Sequence, residues 1–80
     1  MKTAVLLRPI IRETMRAAPK RRWTPAAMLA ALGAIYPDAE LADVQAAFDW
    51  NHSKGFLDYT HDAEAEADFW TLTKRGLAAL

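Results

Sequence analysis

The sequence predicts a mainly α-helical domain that ends in a small β-hairpin. Apolar residues recur at helical spacing through the first two thirds of the 80-residue chain. After Gly55 the pattern changes to two short runs rich in aromatic and β-branched residues, which favour strands. An apolar fraction of 52% is enough to form a core. Residues 1–80 are therefore expected to form a single domain.

The first helix is predicted over residues 7–18. Its inward side is defined by apolar residues at helical spacing: Leu7, Ile11 and Met15. Pro9 is placed in the first turn, where the missing N–H costs nothing. Arginines repeat every four residues along the flank, which predicts a solvated basic row: Arg8, Arg12 and Arg16. Pro19 then ends the helix.

Two further helices are predicted before Gly55. Thr24 and Pro25 begin the second helix, because a threonine hydroxyl caps and a proline fits the first turn. Asp38 is expected to cap the third helix, which is predicted over residues 39–54 and ends where Gly55 takes the left-handed conformation. The inward residues of this third helix are expected to be apolar: Leu41, Val44, Ala47 and Phe48.

The hairpin is predicted from strands over residues 56–60 and 68–73, joined by a loop of about 60–67. Residues 74–80 are expected to form a short closing helix. Trp23 and Trp70 are assigned to the core.

Charge is distributed unevenly along the chain although the formal net charge is zero. Residues 1–36 contain seven Lys or Arg and one acid, a net charge of +6. Residues 37–80 contain three Lys or Arg and nine acids, a net charge of −6. The third helix and the hairpin are thus expected to present a negative surface, which is either a solvated face that keeps the protein soluble or a binding surface.

Two stretches carry a resemblance to a known family. They are DVQAAFDWNHSKGFLDY (43–59) and FWTLTKRGLAAL (69–80). With a helix that ends at Gly55 and a Leu-Thr-x-x-Gly segment at 72–76, the chain resembles the winged helix-turn-helix domains of bacterial transcription regulators. The resemblance implies three helices plus a two-stranded wing. It also implies that Asn51 takes a position where the family usually buries a leucine.

In that family the third helix enters the major groove of DNA and the wing contacts the backbone. Carried over, the resemblance puts acids on both elements, and this acidic set is Asp43, Asp49, Asp62, Glu64 and Glu66. Duplex DNA carries one negative charge per roughly 1.7 Å of axis, so such a surface repels it. Trp50, at the edge of the third helix, is expected to be partly covered, and two roles are open for it: packing against the hairpin, or anchoring a partner.

Two function hypotheses follow. The first is a non-enzymatic binding module whose acidic third helix and wing bind a basic protein surface. Such a module could be a DNA mimic that inhibits a nucleic-acid-handling complex, as a phage-encoded anti-CRISPR-type protein does. The second is a sequence-specific DNA-binding regulator that uses a basic patch near the N-terminus: Arg8, Arg12, Arg16, Lys20, Arg21 and Arg22. Self-association into a homodimer is left open.

No catalytic, cofactor or metal site is predicted. The chain has no cysteine, and His52 and His61 lack the spacing of zinc ligands. Ser53 follows His52, but adjacent helical residues point about 100° apart and do not form a nucleophile–base pair. The N-terminal apolar run is too short for a signal peptide or a membrane span, so a cytoplasmic location is expected.

Overall fold

The computed structural model describes residues 2–79 and has an α+β architecture. Four helices and one antiparallel hairpin follow in this order: α1 (Thr3–Ala17), α2 (Pro25–Leu32), α3 (Leu41–Ser53), β1 (Leu57–Asp62), β2 (Ala67–Leu72) and α4 (Lys74–Ala78). This order is compatible with the winged-helix arrangement that the sequence predicts. No helix within residues 2–79 is long and apolar enough to cross a membrane.

The first helix begins earlier than predicted. α1 starts at Thr3, so Pro9 lies inside the helix and the prediction that it occupies the first turn is wrong. A proline there removes one backbone hydrogen bond of the helix, and Pro9 lies on its exposed side. The predicted stripe is confirmed, since Leu7, Ile11 and Met15 are all buried.

The starts of α2 and α3 differ in how well the sequence predicts them. The Thr24 side chain accepts a hydrogen bond from the backbone N–H of Ala27, as expected for a cap. The prediction that Asp38 caps α3 is wrong, because Glu40 is the N-cap residue. The Glu40 backbone N–H instead donates to Asp43 Oδ2 over 2.9 Å. At the other end, Gly55 has φ 77°, the predicted left-handed conformation.

The hairpin is longer and its turn tighter than predicted. Strands β1 and β2 stay paired up to Asp62 and Ala67, so the connecting turn covers residues 63–66 and not 60–67. Trp23 adds an isolated antiparallel bridge to the outer edge of β2, where it exchanges both backbone hydrogen bonds with Trp70 at 3.0 and 2.7 Å. The segment between α1 and α2 is thereby tied to the sheet.

The core lies where α1, α2, α3 and the base of the hairpin meet. Its central ring is Phe48, fully buried and 5.3 Å from the ring of Trp70. Trp23 and Trp70 are buried as predicted, whereas the prediction that Leu41 faces inward is wrong, because 49% of it is exposed at the first position of α3. The remaining core residues are Leu7, Ile11, Met15, Met28, Leu32, Val44, Ala47 and Leu57.

Candidate binding surfaces

α3 carries two carboxylates, Asp43 and Asp49, on its outer side. The helix sequence LADVQAAFDWNHS contains neither Lys nor Arg. Ala42, Gln45, Ala46 and Asp49 are exposed on this face. The Asp49 carboxylate accepts no hydrogen bond and forms no ion pair with any residue of the described chain. Its carboxylate is free to meet a partner.

Asp43 has a structural task on the same helix. It is half-buried, and its Oδ2 accepts the hydrogen bond from the Glu40 backbone N–H. A carboxylate in the first turn also interacts favourably with the positive end of the helix dipole. Asp43 therefore stabilises the start of α3 in addition to contributing negative charge.

Among the acids of the hairpin turn, one has a structural role and the side chains of two have no partner within residues 2–79, the same division as between the two carboxylates of α3. Asp62 Oδ1 accepts hydrogen bonds from the backbone N–H groups of Glu64 and Ala65, at 3.0 and 3.1 Å, and so fixes the turn. Asp62 Oδ2 also lies 3.8 Å from an Arg22 guanidinium nitrogen. Glu64 and Glu66 are exposed, and Glu66 has φ 49°, a left-handed conformation in the tight turn. Their side chains form no ion pair within residues 2–79.

Trp50 lies among cations. The guanidinium carbon of Arg8 is 4.6 Å from the centre of the Trp50 ring, and Lys54 Nζ is 5.7 Å from it. The ring of Phe56 lies 6.1 Å away. Trp50 is half-buried, as the sequence predicts, but its cover comes from α1 as well as from the base of the hairpin. Its immediate neighbours are positive, in contrast to the acids with which the sequence groups it.

A polar and aromatic cluster on one face of the hairpin was missed by the sequence interpretation. Tyr59 Oη donates to Asp68 Oδ1 over 2.7 Å, and His61 Nδ1 lies 2.7 Å from the same oxygen. The Tyr59 ring packs edge-on against Trp70 at 5.0 Å and lies 6.4 Å from the His52 ring of α3. The signal was present in the sequence, since Tyr59 and His61 are two apart in a strand and so share a face.

The hydrogen bonds of this cluster change two acidities. Hydrogen bonds from His61 and then Tyr59 lower the pKa of Asp68, because both favour its charged form. The hydrogen bond to Asp68, together with a smaller effect of burial and the negative charge of Asp68, raises the pKa of Tyr59. Asp68 is thus an ionised carboxylate held in a fixed position beside an exposed ring.

One member of the predicted basic patch, Arg12, is buried and does not lie on the surface. Arg12 is only 8% exposed, and the prediction that it belongs to a solvated row is wrong. Its guanidinium donates to Asn51 Oδ1 over 2.8 Å and to the backbone carbonyls of Arg8 and Ala79. Burial, followed by the nearby charge of Arg16, lowers the pKa of Arg12.

The other members of the basic patch take different positions. Arg16 donates to the Leu77 carbonyl. Arg21 stacks 3.9 Å from the centre of the Trp23 ring, and Arg22 stacks 4.1 Å from that of Phe69 beside the hairpin. Lys20 is exposed in the connector after α1. Of the six residues of the predicted patch, Arg12 is thus buried, and four others contact the chain's own rings or carbonyls.

Asn51 is the polar residue in the position where the resemblance implies leucine. It is fully buried, and its amide nitrogen donates to the backbone carbonyls of Arg8 and Ala47 at 3.1 and 2.8 Å. Its side-chain oxygen accepts from Arg12. The Arg12–Asn51 pair thus gives α1 and α3 a buried polar contact whose groups are hydrogen-bonded.

The serine next to His52 bonds to its own helix. Ser53 Oγ donates to the Trp50 carbonyl over 2.7 Å, so it does not face His52 as a nucleophile would. No group of three His, Asp or Glu side chains in the described part of the chain converges as metal ligands would. A shallow depression of about 220 Å³ is lined by Thr3, Leu6, Ile35, Tyr36, Pro37, Asp38 and Ala39, of which only Asp38 and Tyr36 can ionise.

Comparison of the chain with protein-family models, with curated proteins and with solved structures gives no match. The case for function therefore depends on the surfaces described above.

Proposed function

We propose that this chain is a non-enzymatic binding module on a winged-helix scaffold, which binds a basic protein surface. The acidic surface that would make the contact consists of the carboxylates of α3 and the hairpin turn: Asp43, Asp49, Asp62, Glu64 and Glu66. In a winged helix these two elements are the ones that face DNA. A partner suited to them is a nucleic-acid-handling protein, whose groove the acidic surface enters as a mimic of DNA.

The observation that carries this proposal is that the side chains of three of these acids, Asp49, Glu64 and Glu66, have no hydrogen-bond or ion-pair partner among residues 2–79. Among residues 2–79 there are two ion pairs, and of the acidic surface only Asp62 takes part in one. The arginines of α1 and its connector stack on the chain's own aromatic rings or bind its own carbonyls instead. Exposed charge of one sign that is not neutralised internally steers and orients a partner of opposite sign.

The DNA-regulator alternative has less support. Affinity for duplex DNA comes mainly from Lys and Arg that neutralise phosphates, and α3 contains neither. Of the arginines that would have to substitute, Arg12 is buried, and Arg22 lies 3.8 Å from Asp62. A regulator of this kind would have to approach DNA by a face other than α3 and the turn.

The test is capture of partners from a lysate of the cells that encode the protein, quantified by mass spectrometry. The acid-reversal variant carries Asp49→Lys, Glu64→Lys and Glu66→Lys, because these three exposed acids make no side-chain hydrogen bond within the described chain. Asp43 and Asp62 are left intact, since each stabilises the fold. The matched control reverses three exposed or half-exposed cations elsewhere: Arg16→Glu, Lys20→Glu and Lys74→Glu.

We expect the wild type and the control variant to capture a basic protein. The acid-reversal variant should not capture it. Electrophoretic mobility shift with random duplex at low salt is run beside it, and the proposal expects no shift for the wild type. A duplex shift that the control variant loses would favour the regulator and would contradict the proposal.

A further inference from the structure

Arginine side chains stack on several aromatic rings of this chain, but not on its most exposed one. Guanidinium groups stack on four rings within residues 2–79: Trp23, Trp50, Phe56 and Phe69. Tyr59 is 46% exposed, more than any other aromatic residue of the described chain, and no cation of that chain stacks on it. Its ring is open to a cation supplied from outside.

The ring of Tyr59 is held rigidly. Its hydroxyl donates to Asp68, while its ring packs in a T-shaped arrangement with that of the buried Trp70, which is its cross-strand partner. The His52 ring lies beside it and links the hairpin to α3. A preorganised aromatic side chain loses little conformational entropy when a partner binds, which is a property of interface hot spots.

A carboxylate oxygen is available next to this ring. Asp68 Oδ1 accepts a hydrogen bond from the Tyr59 hydroxyl and lies 2.7 Å from His61 Nδ1. Asp68 Oδ2 accepts no hydrogen bond and forms no ion pair within residues 2–79. The Asp68 side chain is half exposed. An open ring and an open carboxylate oxygen are thereby held side by side on one face of the hairpin.

We infer that Tyr59 and Asp68 together form a receptor for an arginine side chain of the basic partner. The inference rests on the proposed function and names the residue type that is recognised. The guanidinium stacks on the Tyr59 ring while its N–H groups donate to Asp68 Oδ2. Arginine fits better than lysine because its planar group stacks on a ring and donates in its own plane at the same time. Tyr59, and not Trp50, is then the aromatic anchor of the surface.

The experiment uses two fluorescein-labelled peptides of equal length and charge as probes. One alternates arginine with serine and the other alternates lysine with serine. Fluorescence anisotropy at low salt gives the affinity of the whole chain for each peptide. The variants are Tyr59→Ala, Tyr59→Phe, which retains the ring, and Trp50→Ala as an aromatic control. The acid-reversal variant is measured with them, and a thermal melt shows that each variant is folded.

The inference expects the wild type to bind the arginine peptide more tightly than the lysine peptide. Tyr59→Ala should lower the affinity for the arginine peptide by roughly two- to fivefold, the range that an exposed cation–π contact supplies. It should also abolish the preference for the arginine peptide over the lysine peptide. Tyr59→Phe should keep most of the preference, and Trp50→Ala should leave it unchanged. A preference that survives in Tyr59→Ala, or that is lost in Trp50→Ala, would overturn the inference.

Failure of the inference can be told apart from failure of the proposed function. The acid-reversal variant could bind both peptides more weakly while Tyr59→Ala leaves both affinities unchanged. In that case the inference is wrong and the acidic surface still binds cations. If the acid-reversal variant weakens neither peptide, the proposed function itself is contradicted.

Discussion

The buried Arg12–Asn51 pair allows a quantitative test of how α1 is attached to α3. Asn51→Leu introduces the residue that the family resemblance implies, and Arg12→Met keeps most of the aliphatic stem without the charge. Each single variant removes the 2.8 Å hydrogen bond between the guanidinium and Asn51 Oδ1. Each leaves one buried polar partner behind, since Asn51 is fully buried and Arg12 is 8% exposed.

The magnitude follows from the partners that remain. In Asn51→Leu, Arg12 retains its bonds to the carbonyls of Arg8 and Ala79, at 3.3 and 3.2 Å, and loses one charge-assisted bond. Such a bond contributes about 1.5–3 kcal/mol. In Arg12→Met, the Asn51 oxygen is left unsatisfied, at a cost of about 1–3 kcal/mol. The double variant removes both polar groups, and replacing a buried polar pair by apolar residues is often neutral.

The assay is urea unfolding of the wild type, the two single variants and the double variant, combined as a double-mutant cycle. We expect a coupling energy of about 1.5–3 kcal/mol, with the double variant less destabilised than the sum of the singles. Additivity within about 0.5 kcal/mol would show that the pair does not interact in solution, and would refute this account of the α1–α3 contact.

Three further predictions concern the core, a close backbone approach and a pKa. Phe48→Ala should lower the free energy of unfolding by about 3–5 kcal/mol, measured by urea unfolding, because the ring is fully buried. Gly76→Ala should destabilise by about 1–3 kcal/mol or more in the same assay, because the added Cβ would lie 2.1 Å from a backbone carbonyl oxygen. Hydrogen bonds lower the pKa of Asp68, so its stabilising effect should be present above the ordinary aspartate pKa of about 3.9 and be lost as pH falls through the lower folded value. Carbon-13 NMR titration of Asp68 should therefore give a midpoint below about 3.9, and Tyr59→Phe should raise that midpoint.

The element order could be predicted from the sequence because each element has a local signal. Thr24 and Pro25 mark the start of α2, and Gly55 marks the end of α3, where the structure has the expected cap and the expected φ. Two short runs rich in aromatic and β-branched residues mark the strands. These signals depend on neighbours in the chain, which the sequence contains directly.

The positions of the charged side chains could not be predicted in the same way. Arg8, Arg12 and Arg16 form one row on an isolated helix, but Arg12 becomes buried only because Asn51 of α3 and the carbonyl of Ala79 meet it there. The arginine that stacks on Trp50 likewise comes from another element, α1. Such contacts join residues far apart in the sequence, and periodicity within one helix does not contain them.

The candidate site was partly predictable for the same reason. The exposure of Asp49, Glu64 and Glu66 follows from helix and turn patterns. The Tyr59–Asp68 contact depends on strand register, and the predicted strands did not extend far enough to pair His61 with Asp68. If residues 60–67 formed a loop, as predicted, His61 would not be paired with Asp68 and the cluster would not form.

The central claim is that exposed acids of α3 and the turn bind a basic partner. Its most direct test is the association rate constant for the captured partner, measured by surface plasmon resonance at several salt concentrations. The account predicts fast association that slows steeply with salt, and a rate constant at least about tenfold lower for the variant with Asp49→Lys, Glu64→Lys and Glu66→Lys. An association rate that is independent of salt and unchanged by these three substitutions would contradict it.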